Sequence, residues 1–171
     1  MPQGGFNLAD DLDASGLQIA IIVARFNGHV TSRLYDGCCD ELKQRGGDLS
    51  AATLIDVPGC FELPLVAKEL AASGRFDAIV CLGAIIRGDT PHFDYVSSET
   101  ASGIQRAALD TGVPVVFGVL TTDNEDQALA RVGGMAGHKG REAAATAIEM
   151  AHTMKALRAE YTKIEAAIDA R

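Results

Sequence analysis

The sequence DAIVCLGAIIRGDTPHF (residues 77–93) begins as an almost continuous apolar run and ends in polar turn residues. A short apolar run rich in β-branched side chains is typical of a buried strand in a parallel sheet. A glycine-containing turn follows this run, and a helical pattern begins near His92. The order strand, turn, helix predicts one β–α unit of an α/β fold.

The same succession recurs along the chain. Apolar runs predict buried parallel strands at residues 17–24, 49–57, 78–86 and 113–120. Helical patterns cover residues 30–45, 62–72, 92–109 and 125–132, and a long one runs from residue 139 to at least 158. This order predicts a three-layer, doubly wound (flavodoxin-like) α/β fold with a four-stranded parallel sheet. We expect a flexible N-terminal segment at residues 1–14 and a single domain at residues 15–171.

Composition excludes several classes of partner. The chain has 171 residues, is 47% hydrophobic and carries a formal net charge of -8, which argues against nucleic acid or an anionic membrane as its main partner. Residues 1–13 lack the pattern of a signal peptide, and no apolar run approaches the length of a membrane span. The four cysteines form no C-x-x-C pair, and the histidines lack metal-ligand spacing. We therefore expect a cytoplasmic protein without a metal site.

The turn after the third predicted strand nearly matches a phosphate-binding loop. Its spacing is Gly83-x4-Gly88-x-Thr90, but Asp89 stands where that loop has its lysine and would repel a nucleoside triphosphate. Free backbone N–H groups at a helix start can still bind a single phosphate group. His92 lies close enough in sequence to move a proton. The alternative is a purely structural turn, capped by Asp89 or Thr90.

Other candidate residues follow the strands or open the last helix. Ligands of open parallel sheets collect at the carboxyl ends of strands. Phe26 follows the first strand and is either a stacking surface for a flat heterocycle or an edge of the core. Glu62 follows the second strand and either faces the cleft or complements a helix dipole. Arg131 and Lys139 supply cations, and Glu142 shares a helical face with Lys139 unless this charged segment is simply solvated.

Five motifs, in this order and spacing, resemble the lumazine synthase (6,7-dimethyl-8-ribityllumazine synthase) family. They are RFN (25–27), PGCFELP (58–64), GAIIRGDTPHF (83–93), FGVLTT (117–122) and HKGREAA (138–144). The resemblance extends over about residues 15–158. It implies condensation of 5-amino-6-(D-ribitylamino)uracil with 3,4-dihydroxy-2-butanone 4-phosphate, with no cofactor or metal.

The resemblance also implies roles for particular residues. Catalytic roles fall to His92, Arg131, Lys139 and Glu142. Substrate contacts are implied at Phe26, Asn27, Gly59, Cys60, Phe61, Glu62, Ala84, Ile85, Ile86, Gly88, Asp89, Thr90 and Phe117. Family sites lie between adjacent subunits of a homopentamer, and riboflavin synthase is a candidate pathway partner.

Three other functions are compatible with an α/β domain of this size. A non-catalytic lumazine- or flavin-binding protein would need Phe26 and Glu62 but neither Arg131 nor His92, and this chain has all four. A riboflavin synthase of the same fold would have little use for a phosphate site. A receiver domain needs acidic residues after the first strand, where this chain has Arg25.

Overall fold

A computed structural model describes residues 12–50 and 52–169 of the chain. Four parallel strands form its main sheet in the order β2-β1-β3-β4. The strands are β1 (Ile19–Ala24), β2 (Thr53–Val57), β3 (Ala78–Ile86) and β4 (Val115–Thr122). The helices are α1 (Gly28–Gln44), α2 (Leu63–Ala72), α3 (His92–Thr111), α4 (Glu125–Leu129) and α5 (Lys139–Asp169).

Helices cover both faces of the sheet. One hydrophobic cluster joins the sheet to α1 and α5, and a second joins the opposite face to α2 and α3. The central strands β1 and β3 are almost entirely buried because they are covered on both faces. The predicted three-layer, doubly wound fold is confirmed. No helix in the described part of the chain is both long and apolar enough to cross a membrane.

The edge strands differ from the prediction of continuously buried strands. In β2 the exposed side chains alternate with half-buried ones up to a buried Val57, because β2 lies at the sheet edge. The predicted start of this strand at residue 49 was wrong, since β2 begins at Thr53. Strand β4 begins and ends two residues later than predicted and includes Thr122. Asn124 then caps α4, because its side chain accepts a hydrogen bond from Gln127 N.

Other boundaries also needed correction. Strand β1 begins at Ile19 rather than at residue 17, and helix α3 ends at Thr111 rather than at residue 109. Helix α1 begins at Gly28 rather than at residue 30. A 3-10 turn at Cys60–Glu62 precedes α2, so the predicted α-helix at residue 62 begins one residue later. Helix α4 ends at Leu129 rather than at residue 132, because β5 (Val132–Gly134) pairs antiparallel with β6 (Gly137–His138).

The N-terminal boundary of the domain stays a prediction. Residues 1–11 of the predicted flexible segment lie outside the described residues. Ala14 is buried, and its N–H donates to the Arg45 carbonyl over 2.8 Å. From Ala14 onward the chain is therefore joined to the end of α1.

Candidate active site

A cavity of about 680 Å³ opens at the carboxyl ends of β1, β2 and β3. We call it the strand-end cavity. It is lined by His92 and by every predicted substrate-contact residue except Asn27, Asp89 and Phe117. The parallel sheet places these residues together because successive strands end at the same side.

Phe26 presents its ring to the strand-end cavity. The side chain is 71% exposed, although it lies only two residues after the buried strand β1. Its N–H donates to the Pro58 carbonyl over 3.1 Å, and the neighbouring Arg25 N–H donates to the Val57 carbonyl over 2.8 Å. These bonds tie the ends of β1 and β2 together. An aromatic face held in this way is available to stack on a planar ligand.

Asn27 has its side chain engaged within the protein. Its φ of 58° lies in the left-handed region, and its Nδ2 donates to the Ala84 carbonyl over 2.9 Å. The Asn27 carbonyl accepts hydrogen bonds from Val30 and Thr31 N–H. Asn27 therefore holds the β1–α1 turn against β3, and its predicted substrate contact stays a prediction.

The 3-10 turn places Glu62 at the mouth of the cavity and Cys60 beneath it. A Cβ added to Gly59 would lie 3.2 Å from Glu62 Oε2, so glycine leaves room for this carboxylate. Cys60 is 5% exposed, and burial raises the pKa of its thiol to about 12. Its Sγ occupies the space that a side chain at Gly83 would need. Cys60 is therefore a neutral packing group.

Helix α3 points its first turn at the same cavity. His92 is its first residue, and Gly88 and Thr90 lie in the preceding turn. His92 N donates weakly to Thr90 Oγ1 over 3.4 Å. The first N–H groups of a helix form a site of positive potential that suits an anion. The turn therefore places N–H groups suited to an anion next to the exposed His92 imidazole.

Sequence reasoning assigned no role to Arg87, Phe93 or Tyr95. Phe93 and Tyr95 line the strand-end cavity, and Tyr95 is 70% exposed. The Arg87 guanidinium lies 4.1 Å from the Phe93 ring centroid and donates to Asp94 Oδ1 and Asp123 Oδ1 over 3.2 and 3.1 Å. This network holds the first turn of α3 against the end of β4. Tyr95 could have been found from its spacing, because residues three apart share a helical face.

The remaining predicted catalytic residues line a second cavity of about 590 Å³ between β4 and α5. We call it the edge cavity; Phe117, Arg131, Lys139 and Glu142 line it. Lys139 Nζ pairs with Glu142 Oε2 at 2.6 Å. Arg131 Nη1 donates to the Gln127 carbonyl over 2.8 Å, and Arg131 forms no ion pair with the described residues. Its positive charge therefore remains available to an anion.

The β5–β6 hairpin brings Arg131 and Lys139 together. Gly133 and Gly137 adopt positive φ values of 106° and 81°, which allow the chain to reverse. Lys139 N then donates to the Arg131 carbonyl over 2.8 Å. The glycines of this segment therefore allow the reversal that places Arg131 and Lys139 side by side at the edge cavity.

The start of α5 is fixed by close packing on α1. The His138 ring lies where a Cβ of Gly37 would be. Arg141 donates to Asp40 Oδ2 over 3.1 Å and to the buried Glu41 Oε2 over 3.2 Å. Burial, reinforced by the Arg141 charge, lowers the pKa of His138. Its Nδ1 has no hydrogen-bond partner among the described residues.

The two cavities are separate within one chain. Among the described residues that line them, none is shared between the strand-end cavity and the edge cavity. The structure of one chain therefore divides the predicted site residues between two separate pockets.

A model of the 6,7-dimethyl-8-ribityllumazine synthase family matches residues 16–155. The chain belongs to this family. It is 52% identical over 146 residues to the 6,7-dimethyl-8-ribityllumazine synthase of Nitratidesulfovibrio vulgaris (strain DP4), covering 85% of this chain and 94% of that relative. The enzyme of the same name from Salinibacter ruber is 52% identical over 151 residues, covering 88% of this chain and 97% of that relative.

The predicted resemblance to the lumazine synthase family is thus confirmed. The matched region contains both cavities, since every predicted site residue lies within residues 16–155. The family is one of transferase-type enzymes of riboflavin biosynthesis. Its fold and its sequence therefore both identify the chain as a member of an enzyme family.

Proposed function

We propose that the protein joins 5-amino-6-(D-ribitylamino)uracil and 3,4-dihydroxy-2-butanone 4-phosphate into 6,7-dimethyl-8-ribityllumazine. The reaction releases one phosphate and two waters. Membership of the lumazine synthase family over residues 16–155 carries this proposal. The strand-end cavity offers a group for each of three tasks. These are stacking on the pyrimidine ring by Phe26, hydrogen bonding to the ribityl chain by Glu62, and proton transfer by His92.

The pyrimidine binds in the strand-end cavity. Its flat ring stacks on Phe26, which is worth roughly 0.5–1.5 kcal/mol beyond buried area. The Glu62 carboxylate accepts hydrogen bonds from ribityl hydroxyls, and Gly59 leaves the carboxylate room to do so. The apolar floor at Ala84 and Ile85 is almost fully buried and excludes water from beneath the ring.

The phosphate of the second substrate binds at the first turn of α3. Backbone N–H groups near Gly88 and Thr90 donate to it, and an arginine guanidinium supplies the charge that a chain of net charge -8 otherwise lacks. We assign that guanidinium to Arg131 of a neighbouring copy. The carbonyl of the bound substrate then lies beside the pyrimidine amine, so alignment is the largest contribution to the rate.

The chemistry requires several proton transfers. The amine attacks the carbonyl to form an imine with loss of water, phosphate is eliminated, and the ribitylamino nitrogen closes the ring with loss of a second water. His92 lies at the cavity and moves protons between these atoms. The Lys139–Glu142 pair contributes polar groups from the opposite side.

We further propose that each site is completed between two copies in a homopentamer. The separation of Arg131, Lys139, Glu142 and Phe117 from the strand-end cavity supports a shared site. The number five comes from the family resemblance. Four free, buried cysteines among the described residues support a cytoplasmic location, and the lumazine product makes riboflavin synthase the proposed pathway partner.

Incubation with both substrates tests the reaction. We expect lumazine absorbance and fluorescence to increase in step with released inorganic phosphate. Binding of lumazine or flavin without turnover would instead indicate a non-catalytic binding protein.

Mixing two damaged variants tests the shared site. Glu62→Gln damages the strand-end side and Arg131→Ala damages the edge side. When the two variants are unfolded, mixed in equal amounts and refolded, about a quarter of the sites in a closed ring combine two undamaged sides. Activity well above that of either variant alone is expected. A mixture no more active than its components would contradict a shared site.

A further inference from the structure

The last part of α5 carries an apolar stripe that the rest of the domain does not cover. Leu157, Tyr161, Ile164 and Ile168 are 44%, 60%, 49% and 65% exposed. They follow one another at intervals of four, three and four residues, which is the a/d spacing of a coiled coil. We call these four residues the tail stripe. A two-stranded helix pair would bury all of them along one line.

The helix leaves the body of the domain near Arg158. Lys155 pairs with Asp77 at 3.0 Å, and Arg158 Nη2 donates to the Gly112 carbonyl over 2.8 Å. The hydrogen bonds and ion pairs that the structure describes beyond Arg158 stay within the helix. A projecting helix of this length is marginal in water by itself, so covering its apolar face would stabilise it.

The family match does not extend to this segment. It ends at residue 155, before the first residue of the tail stripe. The tail stripe therefore lies outside the region matched to the family, and its partner has to be inferred from its own chemistry.

We propose that the tail stripe binds the tail stripe of a second copy in an antiparallel helix pair. In that orientation an a position faces a d position of the other helix. Leu157 then contacts Ile168 of the second copy, and Tyr161 contacts Ile164. The pair is symmetric and leaves none of the four side chains unpaired.

The flanking charges select the antiparallel orientation. Arg158 and Glu165 directly follow the d residues Leu157 and Ile164, so they occupy e positions of the coiled-coil repeat. In an antiparallel pair, the e positions of the two helices face each other. Each Arg158 then meets Glu165 of the other copy, and Arg158 keeps two nitrogens free of the Gly112 bond. A parallel pair would instead place Glu160 against Glu165 of the other copy, twice, and like charges repel.

This pairing is distinct from the proposed shared site. An antiparallel pair has two-fold symmetry, so it cannot join neighbours related by a five-fold axis. It would join copies from separate rings. Loss of the pair would therefore lower the assembly mass without removing the catalytic sites.

Sedimentation velocity on the full chain tests the proposal. Ile164→Asp puts a charge in the tail stripe, and Thr162→Asp makes the same charge change at an exposed position beside it. We expect Ile164→Asp to reduce the assembly mass at least twofold, and Thr162→Asp to leave it unchanged. Both variants should keep normal turnover. An unchanged mass for Ile164→Asp would overturn the proposal, whatever the outcome of the activity assay with both substrates.

Disulfide trapping tests the orientation. A chain carrying both Leu157→Cys and Ile168→Cys should form a cross-linked dimer on a non-reducing gel, whereas neither single variant should. The two positions are about 16 Å apart along one helix, too far for a bond within a chain. The natural cysteines of the described residues are buried and do not compete. Cross-linking of each single variant to itself would show a parallel pair and overturn this model.

Discussion

Removing the Arg131 guanidinium should weaken use of the phosphate-bearing substrate more than use of the pyrimidine. The guanidinium is oriented by a hydrogen bond of 2.8 Å that it donates to the Gln127 carbonyl. No carboxylate among the described residues forms an ion pair with it. A hydrogen bond to a charged group contributes about 1.5–3 kcal/mol. Arg131→Ala should therefore lower kcat/KM for the butanone phosphate about 10- to 150-fold, since about 1.36 kcal/mol corresponds to tenfold.

Steady-state kinetics with each substrate varied in turn measures this effect. Arg33→Ala is the matched control, because it removes the same charge from an exposed position on α1. Arg131→Lys keeps the charge but loses the planar donor geometry, so we expect it to lie between Arg131→Ala and the unmodified chain. The assignment would be refuted if Arg131→Ala and Arg33→Ala gave the same kcat/KM for the butanone phosphate.

Four further predictions concern other residues of the site and its support. Phe26→Ala should raise the dissociation constant of the pyrimidine about 2- to 12-fold, because the stacking contact is lost. The dissociation constant of the phosphate substrate should change less. Equal changes of the two constants, measured by calorimetry, would indicate a structural residue. His92→Ala should lower kcat about 10- to 100-fold, because solvent and substrate phosphate partly replace the imidazole; unchanged turnover would remove it from the mechanism. Gly37→Val should destabilise the fold by about 1–3 kcal/mol in urea, because its side chain would collide with the His138 ring; full stability would contradict this packing. The pKa of His138 is lowered below its ordinary 6.5, so the unfolded chain takes up the proton first and stability falls as pH drops below about 6.5. His138→Asn should flatten this decrease in melting temperature between about pH 7 and pH 5, and an unaltered slope would show that other groups cause it.

Local sequence patterns were sufficient to predict the fold class. Strand β3 lies at residues 78–86 as expected, because its long apolar run is buried on both faces. Sequence could not show that Thr53 rather than residue 49 begins β2, since pairing with β1 decides where that strand starts. The β5–β6 hairpin was missed for a related reason. Its glycines signalled a break, but the antiparallel pairing of Val132 with His138 is a contact between segments.

The candidate residues were predicted from the sequence, but the contacts that position them within one chain were not. Phe26, Glu62 and His92 follow three strands of one parallel sheet, so the sheet brings them to one edge. Arg131 and Lys139 are placed by the hairpin and by α5, on a different side of β4. The role of Asn27 as a backbone anchor depends on the Ala84 carbonyl, which is distant in sequence.

The strand order explains why one chain has two separate cavities. Strand β4 is the last strand of the sheet, and its Phe117 is 43% exposed beside the cationic edge cavity. An exposed strand edge with an apolar side chain is a surface that proteins normally cover. Binding of a second copy there would bury Phe117 and bring Arg131 towards the phosphate turn of that copy. The same contact that covers the edge would then complete the proposed shared site, so we expect assembly and activity to be lost together when this surface is disrupted.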